Sequence, residues 1–346
     1  MRRTTLTLIA LVATMLAAAA PALGCAGLIG PNGAVNLLRT TTFAGYHDGV
    51  EHYVTSFEFA GGGGRFGSLV PLPGVPSSVE RGGKWTLQRL ALETAPRRQL
   101  TLGSAPTPAR GDAEVLLTTR VDALDITVLR GGGEAVGRWA TENGFRLPPD
   151  APEVLDFYAA RSPIFLAAVF DADAAKARGQ GLGDGTPVHI SIPTSDPWVP
   201  LRILGLGKTT TDRIEADVYL LTDVRPSLLP GVGGNGLELT HSAAATSSLL
   251  ADLRSDDGMS WVPADAWLTK VRVDAAAGQL RYDLAVGASG TAPSPVAAGL
   301  LAPPALQDPS GAAPALAAVA LAAVALAAVA LALLTIRRGR HRARFS

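Results

Sequence analysis

An uncharged apolar run near the C-terminus constrains this chain more than any other feature. It covers residues 315–336, repeats alanine, leucine and valine, and is followed by a tail with five arginines. As an α-helix the run is roughly 33 Å long, which is enough to cross the ~30 Å hydrocarbon core of a bilayer. Arginine-rich flanks stay on the cytoplasmic side. We therefore predict a transmembrane helix at residues 312–336 in contact with the lipid bilayer, a basic cytoplasmic tail at 337–346, and an exported part before the helix.

The N-terminus also predicts export. Arg2 and Arg3 form a short basic region, residues 6–20 are apolar, and small residues precede Cys25. This order is typical of a cleaved signal peptide, here residues 1–24. An N-terminal anchor that is never removed is the alternative. The predicted location is the cell membrane, with a single pass and the N-terminal domain outside.

Cys25 is the only cysteine, so the exported part has no internal disulfide and depends on a buried core for its stability. Its place directly after the signal peptide is compatible with lipidation. A lipoprotein signal prefers an aliphatic residue three positions before the cysteine, where this chain has Ala22. Since the C-terminal helix already anchors the chain, lipidation is the alternative and not the expectation.

The charge balance of the exported part limits its partners. When the two arginines of the signal peptide and the five of the tail are left out, the exported part has 23 basic and 30 acidic residues. Nucleic acids attract clustered positive charge, so no nucleic-acid partner is expected. Arginine outnumbers lysine, and alanine, glycine and proline are abundant, which is typical of a GC-rich, actinobacterial-like genome.

Alternating apolar residues predict an α+β domain at residues 25–286, built mainly from antiparallel sheets with about three helices. Asp48 and Gly49 are typical of a type I′ turn, and the resulting hairpin places Phe43 opposite Val54. Helical periodicity and turn residues predict helices at 84–94, 134–143 and from Asp150 onward, with Asp150 as a capping residue. Strands are predicted at 36–43, 50–59, 66–70, 115–129, 164–170, 188–192, 201–204, 214–221, 267–273 and 280–286.

The order of parts within the domain suggests two related halves. Residues 53–71 and 164–193 each give an apolar strand, a glycine-rich loop, a second strand and a proline. If this repeated order reflects a duplication, it would divide the domain into halves at about 34–130 and 131–286. The alternative is that the similarity arose by chance. Residues 287–311 are mostly alanine, proline, serine and glycine, and we predict a linker there.

Two histidines are weak candidates for metal ligands. His47 and His52 flank the predicted turn and would lie diagonally on one face of the hairpin, roughly 7–8 Å apart. They could share a metal if a third ligand came from elsewhere. Solvent-exposed strand histidines are the ordinary interpretation. The sequence contains no recognisable catalytic, cofactor-binding or complete metal motif, so none of these sites is predicted.

Trp198 and Trp261 lie next to prolines and aspartates in predicted loops. Aromatic side chains in such positions are candidates for surface contacts with a partner. The other tryptophans fit apolar faces of predicted helices and strands and are expected in the core.

Three segments resemble a known bacterial family. They are FGSLVPLPGVP at 66–76, NGFRLPP at 143–149 and WLTK at 267–270. With most of residues 25–286, they are similar to the family catalogued as domain of unknown function 2330. This resemblance implies an exported envelope protein, often with a C-terminal anchor, and it implies no reaction.

The sequence therefore predicts a membrane-anchored envelope protein whose exported domain has a non-catalytic binding or structural role. Its partner would be an envelope protein, a peptide or a cell-wall component. The alternative is a hydrolase or metal-dependent enzyme whose site residues are dispersed along the chain.

Overall fold

The computed structural model describes residues 25–31, 33–34, 40–57, 65–95, 120–121, 124–171 and 186–302. The chain separates into two units, Met1–Ala302 and Pro303–Ser346. The predicted signal peptide (1–24), transmembrane helix (312–336) and basic tail (337–346) lie outside the described residues. Among the described residues, no helix has the length and apolar character that a bilayer crossing demands.

The described residues form sixteen strands, which are numbered in chain order. They are β1 (Gly27–Gly30), β2 (Gly33–Ala34), β3 (Thr40–His47), β4 (Val50–Phe57), β5 (Arg65–Leu72), β6 (Ser78–Arg81), β7 (Arg120–Val121), β8 (Leu124–Arg130), β9 (Ile164–Asp171), β10 (Thr186–Pro193), β11 (Trp198–Val199), β12 (Arg213–Thr222), β13 (Ser227–Leu229), β14 (Leu237–Ala244), β15 (Trp267–Ala276) and β16 (Leu284–Gly287).

The same residues contain four α-helices and two short 3-10 turns. The helices are α1 (Thr86–Glu93), α2 (Gly133–Glu142), α3 (Ala151–Ala159) and α4 (Ser247–Ser255), and the turns are Arg202–Gly205 and Ala277–Gln279. The first three helices lie where the periodicity predicts them. The fourth helix, α4, begins after Thr246, whose side chain accepts a hydrogen bond from the backbone N–H of Leu249.

Three sheets organise the domain. One has seven strands in the order β14-β15-β12-β3-β4-β10-β6, and a second has six in the order β2-β1-β5-β9-β8-β7. A small third sheet has the order β11-β16-β13. Their pairs are antiparallel except for β12 with β3, which is parallel. The predicted class, an α+β fold with mainly antiparallel sheets, is therefore confirmed for the domain.

The two large sheets and the helices stack as four layers. One core cluster joins the facing sides of the two large sheets. A second joins the outer side of the six-stranded sheet to α2 and α3, and a third joins the outer side of the seven-stranded sheet to α1 and α4. Strand β9 shows why its sequence is continuously apolar, because Leu166 faces the inner core while Phe165 and Ala167 face the helices.

The first hairpin follows its sequence closely. Strands β3 and β4 pair Phe43 with Val54, which is the predicted register. Asp48 and Gly49 both have positive φ, at 50° and 77°, as a type I′ turn requires. The turn chemistry therefore determines which residues of β3 and β4 share a face.

Both large sheets mix strands from residues 34–130 with strands from 131–286. The two suggested halves are therefore not separate structural units. The packed domain also continues past Val286, where the sequence predicts a linker. Ala288, Ala297 and Ala298 are buried, and the carbonyl of Ala298 accepts a hydrogen bond from the backbone N–H of Asp283 at 3.0 Å. The linker prediction is corrected for residues 287–302, because these small residues fit tightly against the core.

Candidate functional site

Three of the five histidines lie on one face of the seven-stranded sheet. The register pairs Gly45 with His52 and His47 with Val50, so His47 and His52 are diagonal neighbours. Strand β10 brings His189 to the other side of His52 by pairing it with Val54. Residues that pair directly across antiparallel strands share a face, so the three imidazoles stand on the side that α1 and α4 also cover.

His52 and His189 form a hydrogen-bonded pair, with 3.0 Å between Nδ1 of His52 and Nε2 of His189. Burial lowers the pKa of His52 to about 3, and the nearby His189 and His47 add to this effect. Burial also lowers the pKa of His189. Both rings are therefore neutral at neutral pH, and one donates its single N–H to the other.

Trp261 covers this pair. Its ring is stacked on that of His52 with 3.8 Å between centroids and 3° between planes, and it lies 6.0 Å from the ring of Phe43. Arg254 holds the loop that carries Trp261 by donating a 2.8 Å hydrogen bond to the carbonyl of Pro263. In the described part of the chain, neither Nε1 of Trp261 nor Nδ1 of His189 has a hydrogen-bond partner.

Gly45 makes room for the indole ring. A Cβ atom at this position would overlap the ring of Trp261. We expect Gly45→Ala to lower the free energy of unfolding by about 1–3 kcal/mol, because the ring must move off His52 or the strand must shift. Urea denaturation would measure the loss. Gly231→Ala is the control, since no atom lies within 4 Å of the added Cβ there. Equal stability of both variants would contradict this account of Trp261.

His47 has different partners. Its Nδ1 lies 2.7 Å from Oδ1 of Asp223, and its Nε2 lies 3.4 Å from Oδ2 of Asp48. The structure thus joins His52 to His189 and leaves His47 with two carboxylates at the end of the hairpin. Within the described ranges, no group of three or more His, Cys, Asp or Glu side chains forms a complete set of metal ligands.

Trp198 is 3 % exposed and lies on β11, so its prediction as a surface contact is wrong. Its ring packs on Tyr158 at 5.7 Å and on the guanidinium of Arg161 at 4.9 Å. The flanking prolines and aspartates suggested a loop, but Trp198 lies on a short strand, and its ring belongs to the core cluster between the six-stranded sheet and helices α2 and α3. Trp261 is partly buried, and one face of its ring is occupied by His52.

Cys25 is fully buried in the core between the sheets. Burial raises the pKa of its thiol to about 11, although the hydroxyls of Thr42 and Thr40 oppose the rise. Its backbone N–H also donates to Oγ1 of Thr42 at 2.6 Å. A lipid on this sulfur would displace the surrounding core, so the packing argues against the lipidation alternative.

Asp283 is a buried residue that sequence reasoning missed. It forms an ion pair with Arg161 and accepts hydrogen bonds from the hydroxyl of Tyr158 at 2.9 Å and the backbone N–H groups of Leu201 at 2.7 Å and Arg202 at 3.0 Å. Burial raises the pKa of Asp283, and Arg161 acts against that rise. In the sequence, the only indication of this buried position was an acidic residue, Asp283, within the predicted strand 280–286.

Asp256 and Glu51 were also missed. The carboxylate of Asp256 accepts hydrogen bonds from the backbone N–H groups of Lys84, Trp85 and Thr86, so it caps the start of α1 from a distant loop. Glu51 is 1 % exposed, and neither of its oxygens has a hydrogen-bond partner among the described residues. Burial raises its pKa to about 8, and the backbone of Trp198 offsets part of the rise without completing a hydrogen bond.

Residues 19–228 match a family described as an uncharacterized protein conserved in bacteria (DUF2330). The chain belongs to this family, which confirms the resemblance seen in its motifs. No curated protein matches the chain.

Several solved structures share a distant likeness with the chain. The crystal structure of baculovirus P35 aligns with a TM-score of 0.39 at 10 % identity, over 72 % of this chain and 96 % of P35. The caspase-8/P35 complex gives 0.35 at 8 % identity, over 72 % and 95 %. A mutated baculovirus P35 after caspase cleavage gives 0.37 at 9 %, over 72 % and 99 %. A likeness at this level carries no inference about function.

Proposed function

We propose that this protein is a membrane-anchored component of the bacterial envelope whose exported domain has a binding or structural role. The signal peptide at 1–24 and the apolar helix at 312–336, both inferred from sequence, would place the domain outside the cell membrane. Its partner would be an envelope protein, a peptide or a cell-wall component.

One observation carries the non-catalytic part of the proposal. Three side chains of types that carry acid–base chemistry, those of His52, Asp283 and Asp256, serve the packing of the domain. His52 is neutral, bonded to His189 and covered by Trp261. Asp283 already accepts hydrogen bonds from several donors, and Asp256 caps a helix. A general acid or base needs room to reach a substrate, and the partners of these three side chains enclose them.

Protease treatment of intact cells tests the location, using a chain with an epitope after Ser346. We expect external protease to degrade the exported domain while the epitope, inside the cell, remains protected. A cytoplasmic marker protein controls for cell lysis. If protease removed the epitope and spared the domain, the proposed orientation would be wrong.

Cross-linking in intact envelopes followed by purification tests the binding role. The full chain is compared with an anchor-only control, in which the signal peptide is joined directly to residues 303–346. We expect a partner that is captured with the full chain and absent from the control. Identical capture by both chains would count against a binding role of the domain.

A further inference from the structure

Two leucines at the end of the described domain lie on its surface. Leu300 is 48 % exposed and Leu301 is 61 % exposed, whereas Ala297 and Ala298, just before them, are buried. Single exposed apolar side chains are common on soluble proteins. Two large ones in consecutive positions form a small apolar surface instead, and exposed apolar surfaces often mark a contact site.

Hydrogen bonds and close packing hold this surface in place. Residues 295–301 form a turn, here called the exit turn, in which the backbone N–H groups of both leucines donate to the carbonyl of Pro295 at 2.9 and 3.2 Å. A Cβ atom at Gly299 would overlap the ring of Phe157 on α3, so the turn lies directly against that helix. The exposure of the leucines is therefore a property of the folded turn.

The exit turn lies close in the chain to the proposed anchor. The described residues end at 302, and the predicted transmembrane helix begins at 312. The residues between them, 303–311, span about 30 Å when fully extended and about 15–18 Å as a flexible coil. Because of this short connection, a contact with the bilayer would form within one molecule, where even a weak interaction is populated.

This part of the chain carries almost no charge. Between Asp283 and Arg337 the only charged residue is Asp308. The exit turn therefore brings no carboxylate to a lipid surface, which is commonly anionic and would repel it. Leucine side chains gain free energy on transfer from water to an apolar environment. The chemistry of the turn thus suits the boundary between lipid headgroups and acyl chains.

We propose that the exit turn docks on the lipid bilayer that holds the anchor, with the side chains of Leu300 and Leu301 inserted at the level of the headgroups. This inference rests on the proposed membrane anchor and adds the surface through which the exported domain meets the membrane. Contact at the exit turn would restrict the orientation of a domain that a flexible connection alone leaves free to rotate.

Fluorescence quenching by spin-labelled lipid tests this contact in the full chain, reconstituted in vesicles of phosphatidylcholine and phosphatidylglycerol. The exposed position 302 carries a fluorophore in Ala302→Cys, while the buried Cys25 stays unlabelled. We expect a nitroxide near the lipid headgroup to lower the emission about twofold or more, relative to vesicles without nitroxide. A label on Leu92→Cys, 72 % exposed on α1, is the distant control and should keep its emission.

Replacing both leucines separates their contribution from that of the connection to the anchor. Leu300→Ser with Leu301→Ser changes two exposed side chains, so the circular dichroism spectrum should stay the same. We expect quenching of the label at position 302 to fall to about a third or less. Equal quenching with and without the leucines would show that the connection alone brings the turn near the lipid, and would overturn the proposal.

Two further outcomes have distinct meanings. A loss of emission that grows with the number of chains per vesicle, and does not need nitroxide, would assign the leucines to a second copy of the chain and overturn the lipid contact. Extraction of the chain from the vesicles by alkaline carbonate would contradict the anchor and this inference together. A chain that stays in the vesicles with an unquenched label would overturn this inference alone.

Discussion

Glu51→Gln should remove a pH dependence of about 4 kcal/mol from the stability of the domain between pH 5 and pH 8. Glu51 lies in the core between the sheets with no hydrogen-bond partner among the described residues. Its pKa of about 8 means that the folded state holds a proton which the unfolded chain releases above its ordinary value of 4.5. Each pKa unit of difference corresponds to about 1.4 kcal/mol.

The sign of this effect follows from proton binding. Between pH 4.5 and 8 the folded state binds more protons at Glu51 than the unfolded state, so the free energy of unfolding falls as the pH rises. His52 and His189 act in the opposite direction, because their lowered pKa values make stability fall as the pH drops below about 6.5. We therefore expect the stability of the parent to fall with rising pH above about 6.5, where Glu51 sets the slope, while below that pH the histidines oppose the effect of Glu51.

Urea denaturation of the parent and the variant at pH 5, 6.5 and 8 measures the contribution of Glu51. The histidine contributions cancel in the difference between the two proteins, so that difference should change by about 4 kcal/mol over this range. Glu238→Gln, at an exposed position on β14, is the matched control and should follow the parent at each pH. A parallel response of parent and Glu51→Gln would show that the carboxyl is not buried in its neutral form.

The parts of the fold that the sequence predicted well depend on local chemistry. The register of the first hairpin follows from the positive φ of Asp48 and Gly49, and three helices follow from their apolar periodicity. The parallel pairing of β12 with β3 could not be predicted in this way, because its partners, such as Ala216 and Thr40, are 176 positions apart in the sequence. The same holds for the pair of His52 and His189, which are 137 positions apart.

Two local predictions failed because the atoms concerned form hydrogen bonds with groups that are distant in the sequence. Asp150 was expected to cap α3, but its carboxylate instead accepts hydrogen bonds from the backbone N–H of Gly207. Residues 201–204 were predicted as a strand, but the structure has a 3-10 turn at Arg202–Gly205, directly after Leu201. The backbone N–H groups of Leu201 and Arg202 donate to Asp283, so they are not available for a sheet. Local sequence patterns reflect the preferences of neighbouring residues and contain no information about such distant hydrogen-bond partners.

Asp283→Asn should lower the free energy of unfolding by about 3–5 kcal/mol, because it leaves the guanidinium of Arg161 as an uncompensated charge in the interior. Asp283 is 0 % exposed and the side chain of Arg161 is 4 % exposed. The amide oxygen of asparagine can still accept from Tyr158, so the loss reports mainly on the missing charge. Urea denaturation of the parent and the variant at one pH, 6.5, measures the loss, because the contributions of Glu51 and the histidines are then the same in both proteins.

An exposed ion pair provides the matched comparison. Asp274 pairs with Arg213 at 2.7 Å on the sheet surface, where water and salt screen the charges. Asp274→Asn should therefore change the free energy of unfolding very little. Replacing both buried partners, in Arg161→Met with Asp283→Asn, should recover part of the loss because no charge is left unpaired. Equal losses in the buried and the exposed single variants would mean that Asp283 does not hold α3, through Arg161 and Tyr158, against the C-terminal segment of the domain.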